Sequence, residues 1–344
     1  MPQTHVNLLE LQIMKLAGTL FIQRSEIESL LTFSDYVSIV ENAFRDYAEG
    51  RTMRAGLMHV EAEGGEFHIK AGGLKGDPAY FGIKINGGFF QNSKRFGMPN
   101  IQGVILLSDG ANGYPLCIMD SIEVTMKRTG AATAVAAKYL ARPESSICTI
   151  CGLGNQGRIQ LKAIVSTLPI KTVYAWSPVP NEAVTFARYM SEELNIEVFP
   201  ADDLEAASYG SDVIVTCTPS RKAFLMKGAV RPGTFIAAVG ADSPDKQELD
   251  PELVMSSKIV GDIIDQIATV GETHHAIEMG LMPREAIHGE IGDIIAKRKV
   301  GRTSPEEVII YDSTGTAVQD VAVAIAVYNS AQRKGIGVRI DLAS

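Results

Sequence analysis

Positive charge is in short supply. The 344-residue chain carries 32 Lys and Arg against 40 Asp and Glu, a formal net charge of −8. A nucleic-acid binder needs a basic stripe, so that class is excluded. A small anionic substrate is not, because a local cluster of Lys and Arg outweighs the net charge. Long apolar runs are also missing, and none approaches the roughly 18–20 residues of a membrane span. The opening stretch, MPQTHVNLLELQIMKLAGTLFIQ, has no basic segment ahead of its apolar part, which Lys15 interrupts, so no signal peptide is expected. Cysteine is scarce: Cys117, Cys148, Cys151 and Cys217. Cys148 and Cys151 have the C-x-x-C spacing of a redox pair, but they fall in or at the end of an expected buried strand, where residues three apart face opposite sides. Redox pairs open a helix instead. A cytoplasmic protein without disulfides is expected. Repeats and low-complexity segments are absent.

What is present reads as a globular chain of about two domains, with 46% hydrophobic and 21% charged residues. Residues 1–18 read as an extension. Val37, Val40, Phe44 and Tyr47 recur at helical spacing, with Ser34 or Asp35 as the expected cap. From Met53 to Asp120 short runs (AGLMHVEA, EFHIKAGG, YFGIKIN, GVILLSD, YPLCIMD) are separated by Gly-Gly, Gly-Asp-Pro and Asn-Gly, which predicts a mainly antiparallel sheet. An Ala-rich helix is expected over 122–140. Beyond it, apolar strands (SICTICG, TVYAW, IEVFP, DVIVTCT, TFIAAVG, SKIVGD, EEVIIYDSTG) alternate with helices, the signature of a parallel sheet buried on both faces. An apolar helix ending at Gly335 closes the chain. The expected class is α/β: a Rossmann-type parallel sheet domain over 126–315, and an α+β substrate-binding and dimerisation domain formed by 1–125 together with 316–344.

The most specific local feature is GLGNQG. A strand precedes Gly152, Gly154 and Gly157, and a helix with Leu161, Ile164, Val165 and Leu168 on one face follows. In such a turn the first glycine makes the bend, the second admits the pyrophosphate and the third lets helix and strand pack. The helix N-terminus, here Asn155 and Gln156, then faces the phosphates. The acidic residue usual at the end of the second strand is replaced by Ser177, with no arginine beside it. NAD(H) is the preferred cofactor, since a 2′-phosphate lacks a partner; NADP(H) is the alternative.

In order along the chain, TMRAG, GIKINGGF, GMPNIQGVILLSD, TMKRTGAATAVAAKYLA, GLGNQG, AAVGADSPDKQEL and YDSTGTAVQD resemble the ornithine cyclodeaminase/μ-crystallin family over residues 20–335. The resemblance implies that Arg54 and Arg128 hold a substrate carboxylate, for which a guanidinium fork is well shaped. It implies that Lys84 and Asp242 are the catalytic acid–base pair. Thr129, Thr218, Val239, Gly240, Ser313 and Gly315 join Ser177 and the glycine-rich turn as cofactor contacts. Lys70, with His68 nearby, stands where ornithine-specific members hold an ammonium with an acidic residue. A cation there favours an anionic or polar substrate. The implied activity is an NAD(P)-dependent amino-acid dehydrogenase or imino-acid reductase acting as a homodimer. A cyclodeaminase of ornithine or lysine is the alternative, and a nucleotide-bound crystallin-like binding protein the third. The six histidines show no metal spacing. His274 and His275, adjacent on a helix, are expected to diverge, so no metal site is expected.

Overall fold

The computed structural model describes residues 18–179 and 181–342. The amino-terminal extension, apart from Gly18, lies outside the described residues. The chain divides into two compact units. The first comprises residues up to 39, 51–125 and 317–344; the second comprises 40–50 and 126–316. The assignment of 40–50 to the second unit differs from the sequence-based boundary. The helix there, which begins in the first unit, turns its C-terminal half, with Val40 and Phe44 buried, toward second-unit residues such as Gly292.

In chain order the first unit runs β1 (Thr19–Ile22), α1 (Arg24–Glu28), the start of α2 (Phe33–Ala48), β2 (Thr52–Ala62), β3 (Gly65–Leu74), β4 (Tyr80–Gly88), α3 (Asn92–Phe96), β5 (Ile101–Asp109) and β6 (Pro115–Asp120). The next helix, α4 (Ile122–Leu140), leads into the second unit. The second unit holds β7 (Ile147–Cys151), α5 (Asn155–Thr167), β8 (Thr172–Trp176), α6 (Glu182–Leu194), β9 (Glu197–Pro200), α7 (Leu204–Tyr209), β10 (Val213–Thr216), β11 (Arg221–Leu225), β12 (Phe235–Ala238) and β13 (Gln247–Leu249). It continues with α8 (Pro251–Met255), β14 (Lys258–Gly261), α9 (Ile264–Val270), α10 (Glu272–Glu278), β15 (Gly289–Glu290), α11 (Ile291–Ile295) and β16 (Ile309–Asp312). The chain returns to the first unit with α12 (Ala317–Lys334) and β17 (Val338–Ile340).

The first-unit sheet has the order β17-β1-β6-β5-β4-β3-β2. Neighbours from β2 to β6 are antiparallel, whereas β1 joins β6 in parallel. One face is covered by α12, on which Val318, Val321, Val323 and Val327 are almost wholly buried. Each such side chain contributes about 1.5–3 kcal/mol. Gly72 and Gly82 are directly opposed across β3 and β4. A Cβ on Gly72 would stand 3.0 Å from the Ala317 Cβ, and one on Gly82 2.8 Å from Val321 Cγ2. Of the Gly-Gly pairs, Gly64 and Gly65 make the expected break between β2 and β3, whereas Gly72 and Gly73 lie inside β3 and Gly87 and Gly88 inside β4. Gly72 and Gly82 serve the close approach of the helix. The opposite face stays open, with Met58, Val60, Phe67, Ile85 and Val104 exposed.

The second-unit sheet, β15-β14-β16-β12-β10-β7-β8-β9, is parallel throughout. Of its central strands β10, β12 and β16 are buried end to end and β7 from Cys148 onward, which is why their sequences are largely apolar runs. The chain winds outward through β7, β8 and β9, then crosses to the other side of β7 with β10. The carboxyl ends of β7 and β10 thus form the topological switch point where such folds bind ligands. Cys148 and Cys151 are buried in β7, and burial pushes both thiols up, away from redox reactivity. The cap of α2 is also corrected: the Thr32 hydroxyl accepts the Asp35 amide, and the Asp35 carboxylate accepts the Thr32 amide and hydroxyl, a reciprocal box. Among the described residues no helix is long and apolar enough to cross a membrane.

Candidate active site: a nucleotide cradle and a cationic sheet face

In the second unit, β7 delivers the chain to Gly152, whose φ of 102° is open to glycine and costly to other residues. A Cβ there would stand 2.8 Å from the Cys217 carbonyl oxygen, just past β10. A Cβ on Gly157 would stand 2.1 Å from the Gly152 oxygen, so the third glycine sets the contact between α5 and its strand. Gly154 differs: its Cβ would meet nothing within 4 Å. It caps α5 without a side chain, leaving the approach to the Asn155, Gln156 and Gly157 amides clear for an anion. The cradle therefore fits a dinucleotide pyrophosphate, with Gly152, Gly154, Asn155, Gln156 and Gly157 around it.

Ser177 follows β8, and its hydroxyl donates to the Glu182 carboxylate at 2.6 Å. The first turn of α6 thus places a carboxylate beside the strand end. Sequence reading missed it because it searched position 177 and not the helix five residues on.

Thr218 and Gly240 follow β10 and β12, and one side chain ties them together. Glu248, wholly buried on β13, accepts the Thr218 amide at 2.6 Å, the Thr218 hydroxyl at 2.7 Å and the Gly240 amide at 2.9 Å. Val239 lies between β12 and Gly240, its amide donating to the Thr216 oxygen. Glu272 in turn accepts the Glu248 and Leu249 amides at 2.7 and 3.0 Å. Asp312, at the end of β16, accepts the Glu272 amide at 3.2 Å and the Thr273 amide and hydroxyl at 2.8 and 2.6 Å. Asp262 accepts the Gly315 amide at 2.6 Å and the Thr314 hydroxyl at 3.0 Å, which fixes the turn after Ser313. Burial pushes the Asp312 carboxyl up to about 7, and Asp262 adds to the rise. Burial likewise raises Glu248 and, well above its ordinary value, Glu272. These acids hold the strand-end loops through their backbone amides.

Arg128 and Thr129 are buried on α4. The Arg128 guanidinium lies so close over Gly315 that a Cβ there would stand 2.5 Å from Nη1, with the Gly315 φ of 73° a second reason for glycine. Asp242, half-buried past β12, pairs with Lys246 at 2.6 Å. His274 and His275 do not diverge as the sequence suggested: their rings are 3.8 Å apart. Each ring bonds a backbone carbonyl, of Gly271 and Lys246 respectively.

In the first unit the cations line the face under α12. Lys84 and Lys70 are directly opposed on β4 and β3 and almost fully buried, at 3% and 7% exposure. Lys84 Nζ pairs with Asp320 of α12 at 2.6 Å, both side chains 2% exposed. A buried lysine calls for a countercharge, and Asp320 supplies it to Lys84. Arg54 is exposed at an irregularity of β2. Between Gly56 and Met53 that strand advances three residues while β3 moves two, from Ala71 to Gly73, a bulge that re-aims its side chains. The same hairpin brings His59, Glu66 and His68 together, which spacing along the chain did not reveal.

The model of the ornithine cyclodeaminase/mu-crystallin family matches residues 18–335. The alanine dehydrogenase of Archaeoglobus fulgidus is 38% identical over 323 residues, 94% of this chain and 98% of that protein. A solved archaeal alanine dehydrogenase dimer with bound NAD is 39% identical, with a TM-score of 0.90 over 94% of this chain and 99% of that one. The Δ1-pyrroline-2-carboxylate reductase of Thermococcus litoralis, solved with NADH and L-proline, is 31% identical, with a TM-score of 0.89 over 94% of this chain and 100% of that one. The iminosuccinate reductase of Paracoccus denitrificans, solved with NAD+, is 30% identical, with a TM-score of 0.86 over 94% of this chain and 100% of that one.

Proposed function

The chain belongs to the ornithine cyclodeaminase/mu-crystallin family, and on that premise we propose that it is an NAD(H)-dependent oxidoreductase of amino or imino acids. The observation that carries the reading is the buried Lys84–Asp320 pair with Lys70 beside it. Ion pairs are costly to bury, and this one stands beside a second buried lysine on the sheet face that the reading gives to the substrate. When bound, the cofactor supplies a hydride acceptor or donor for the substrate Cα; Gly152, Gly154 and Gly157 shape its cradle and Ser177 with Glu182 holds its ribose.

Arg54 and Arg128 are the carboxylate-binding residues of this reading, and Lys70 contacts the rest of the substrate. Lys84 moves a proton at the substrate nitrogen or at the water that adds to the imine carbon, and Asp320 stabilises its protonated form. Asp242 is the second acid–base residue, and Lys246 holds its carboxylate in place. Thr129, Thr218, Val239, Gly240, Ser313 and Gly315 complete the cofactor contacts. The exposed apolar sheet face around Ile85 is the homodimer contact, since soluble proteins rarely leave such a face uncovered. The charge balance and the cysteines held as thiols suit the cytoplasm.

The test is a panel of amino acids with NAD+, and of 2-oxo acids with ammonia or cyclic imines with NADH. Absorbance follows reduced nicotinamide, and ammonia is measured separately. Net change in reduced cofactor is expected. Ammonia release from ornithine or lysine without such change would replace this reading by a cyclodeaminase.

Glu182 carries a second expectation. Its carboxylate repels a 2′-phosphate, so Glu182→Ala should lower the preference for NADH over NADPH by up to about fivefold, the scale of an exposed charge interaction. The ratio of kcat/KM for the two cofactors measures it, and an unchanged ratio removes Glu182 from cofactor choice.

A further inference from the structure

We infer that the β2–β3 hairpin carries a binding site for a divalent transition ion of the zinc type, built from His59, Glu66 and His68. The inference stands apart from the cofactor reading. In the register of the hairpin, His59 faces His68 and, one same-face step nearer the turn, Glu61 faces Glu66. The four side chains form a two-by-two array on one face. His59 Nε2 lies 3.1 Å from Glu66 Oε2, and His68 Nε2 lies 3.1 Å from Glu66 Oε1. All three ligand atoms fall within 4.8 Å of one another.

Ligand atoms bonded at about 2.0–2.1 Å to one tetrahedral ion stand about 3.3 Å apart, close to the two nitrogen–oxygen separations seen here. Two imidazoles and a carboxylate are ligands suited to zinc and its neighbours, not to calcium or magnesium. The rings are stacked, with centroids 4.7 Å apart and planes inclined by 14°, so their lone pairs run side by side. Rotation about χ2 of His59, whose side chain is 31% exposed against 13% for His68, makes them converge, and that torsion is soft. Glu61 is exposed and stands beside the three ligands on the same face, opposite Glu66. Glu63 in the turn adds further negative charge.

The test uses the full chain freed of metal by a chelator and titrated with Co2+, whose visible bands report a low-symmetry nitrogen and oxygen site. One equivalent per chain is expected to bind and to be displaced by Zn2+. His59→Ala and His68→Ala should each weaken binding by at least about tenfold, no less than losing a supporting contact does. Glu66→Gln should do the same. Thermal melting without metal checks that the variants fold. Co2+ binding of undiminished affinity in the double variant His59→Ala/His68→Ala would overturn the site, as would the absence of bands from the wild type at millimolar Co2+.

Discussion

Lys84→Ala is expected to lower kcat by about a thousandfold, within the range for loss of a positioned proton-transfer group, while NAD(H) affinity stays within about twofold. The first number follows from geometry. Lys84 is almost fully buried in mid-strand and paired with Asp320 at 2.6 Å, a placement that no other side chain takes over once the lysine is truncated. The second follows from its place: the glycine-rich cradle belongs to the other compact unit. The variant also leaves the buried Asp320 carboxylate without its lysine, which costs about 3–5 kcal/mol of stability. Lost activity must therefore be separated from lost fold. The double variant Lys84→Met/Asp320→Asn removes both charges and should melt nearer the wild type, yet remain as inactive as Lys84→Ala. Steady-state rates from nicotinamide absorbance, cofactor affinity from fluorescence titration and a melting curve decide the matter. A folded double variant with wild-type kcat would take Lys84 out of the reaction.

Glu248→Ala should have the next largest effect, on stability and cofactor affinity together. Its carboxylate accepts three hydrogen bonds inside a fully buried site. Truncation strands the Thr218 and Gly240 amides, at about 1–3 kcal/mol each. A loss of about 3–5 kcal/mol in urea unfolding is expected. NAD(H) binding should weaken at least tenfold, about 1.4 kcal/mol, because both freed loops belong to the proposed cradle. Glu248→Gln keeps one acceptor oxygen but turns an NH2 toward the other donors, so it should recover only part of each loss. Near-wild-type cofactor affinity in Glu248→Ala would show that the loops hold their shape without it.

Legibility in the sequence followed the range of the interaction. The glycine-rich turn was readable because its chemistry is local: a strand, three glycines and a helix within twenty residues. The long helix over 122–140 and the buried parallel strands were readable from period and apolar continuity for the same reason. Glu248, Asp312 and Asp320 all stood inside motifs that marked the family, yet nothing in their local pattern showed what they hold. Glu248 acts on residues thirty positions upstream, and Asp320 lies far along the chain from Lys84 but against it in space. Such partners are fixed by tertiary packing, and a lone acid in a helical or strand pattern reads as surface. Glu182 escaped for a smaller reason: its carboxylate reaches back from a helix to the strand end. The histidine cluster escaped because hairpin register, not sequence spacing, sets it.

The glycine pair under α12 has a consequence for how this chain tolerates change. Gly72 and Gly82 are two missing methyl groups, and they set the height at which the last long helix rests on the sheet. Any larger residue at either position would act as a shim, lifting α12 and drawing Asp320 back from Lys84. The charge balance of that lysine is therefore gauged by two hydrogen atoms that touch neither residue. A single methyl group, added without altering any charged or polar side chain, would detune it.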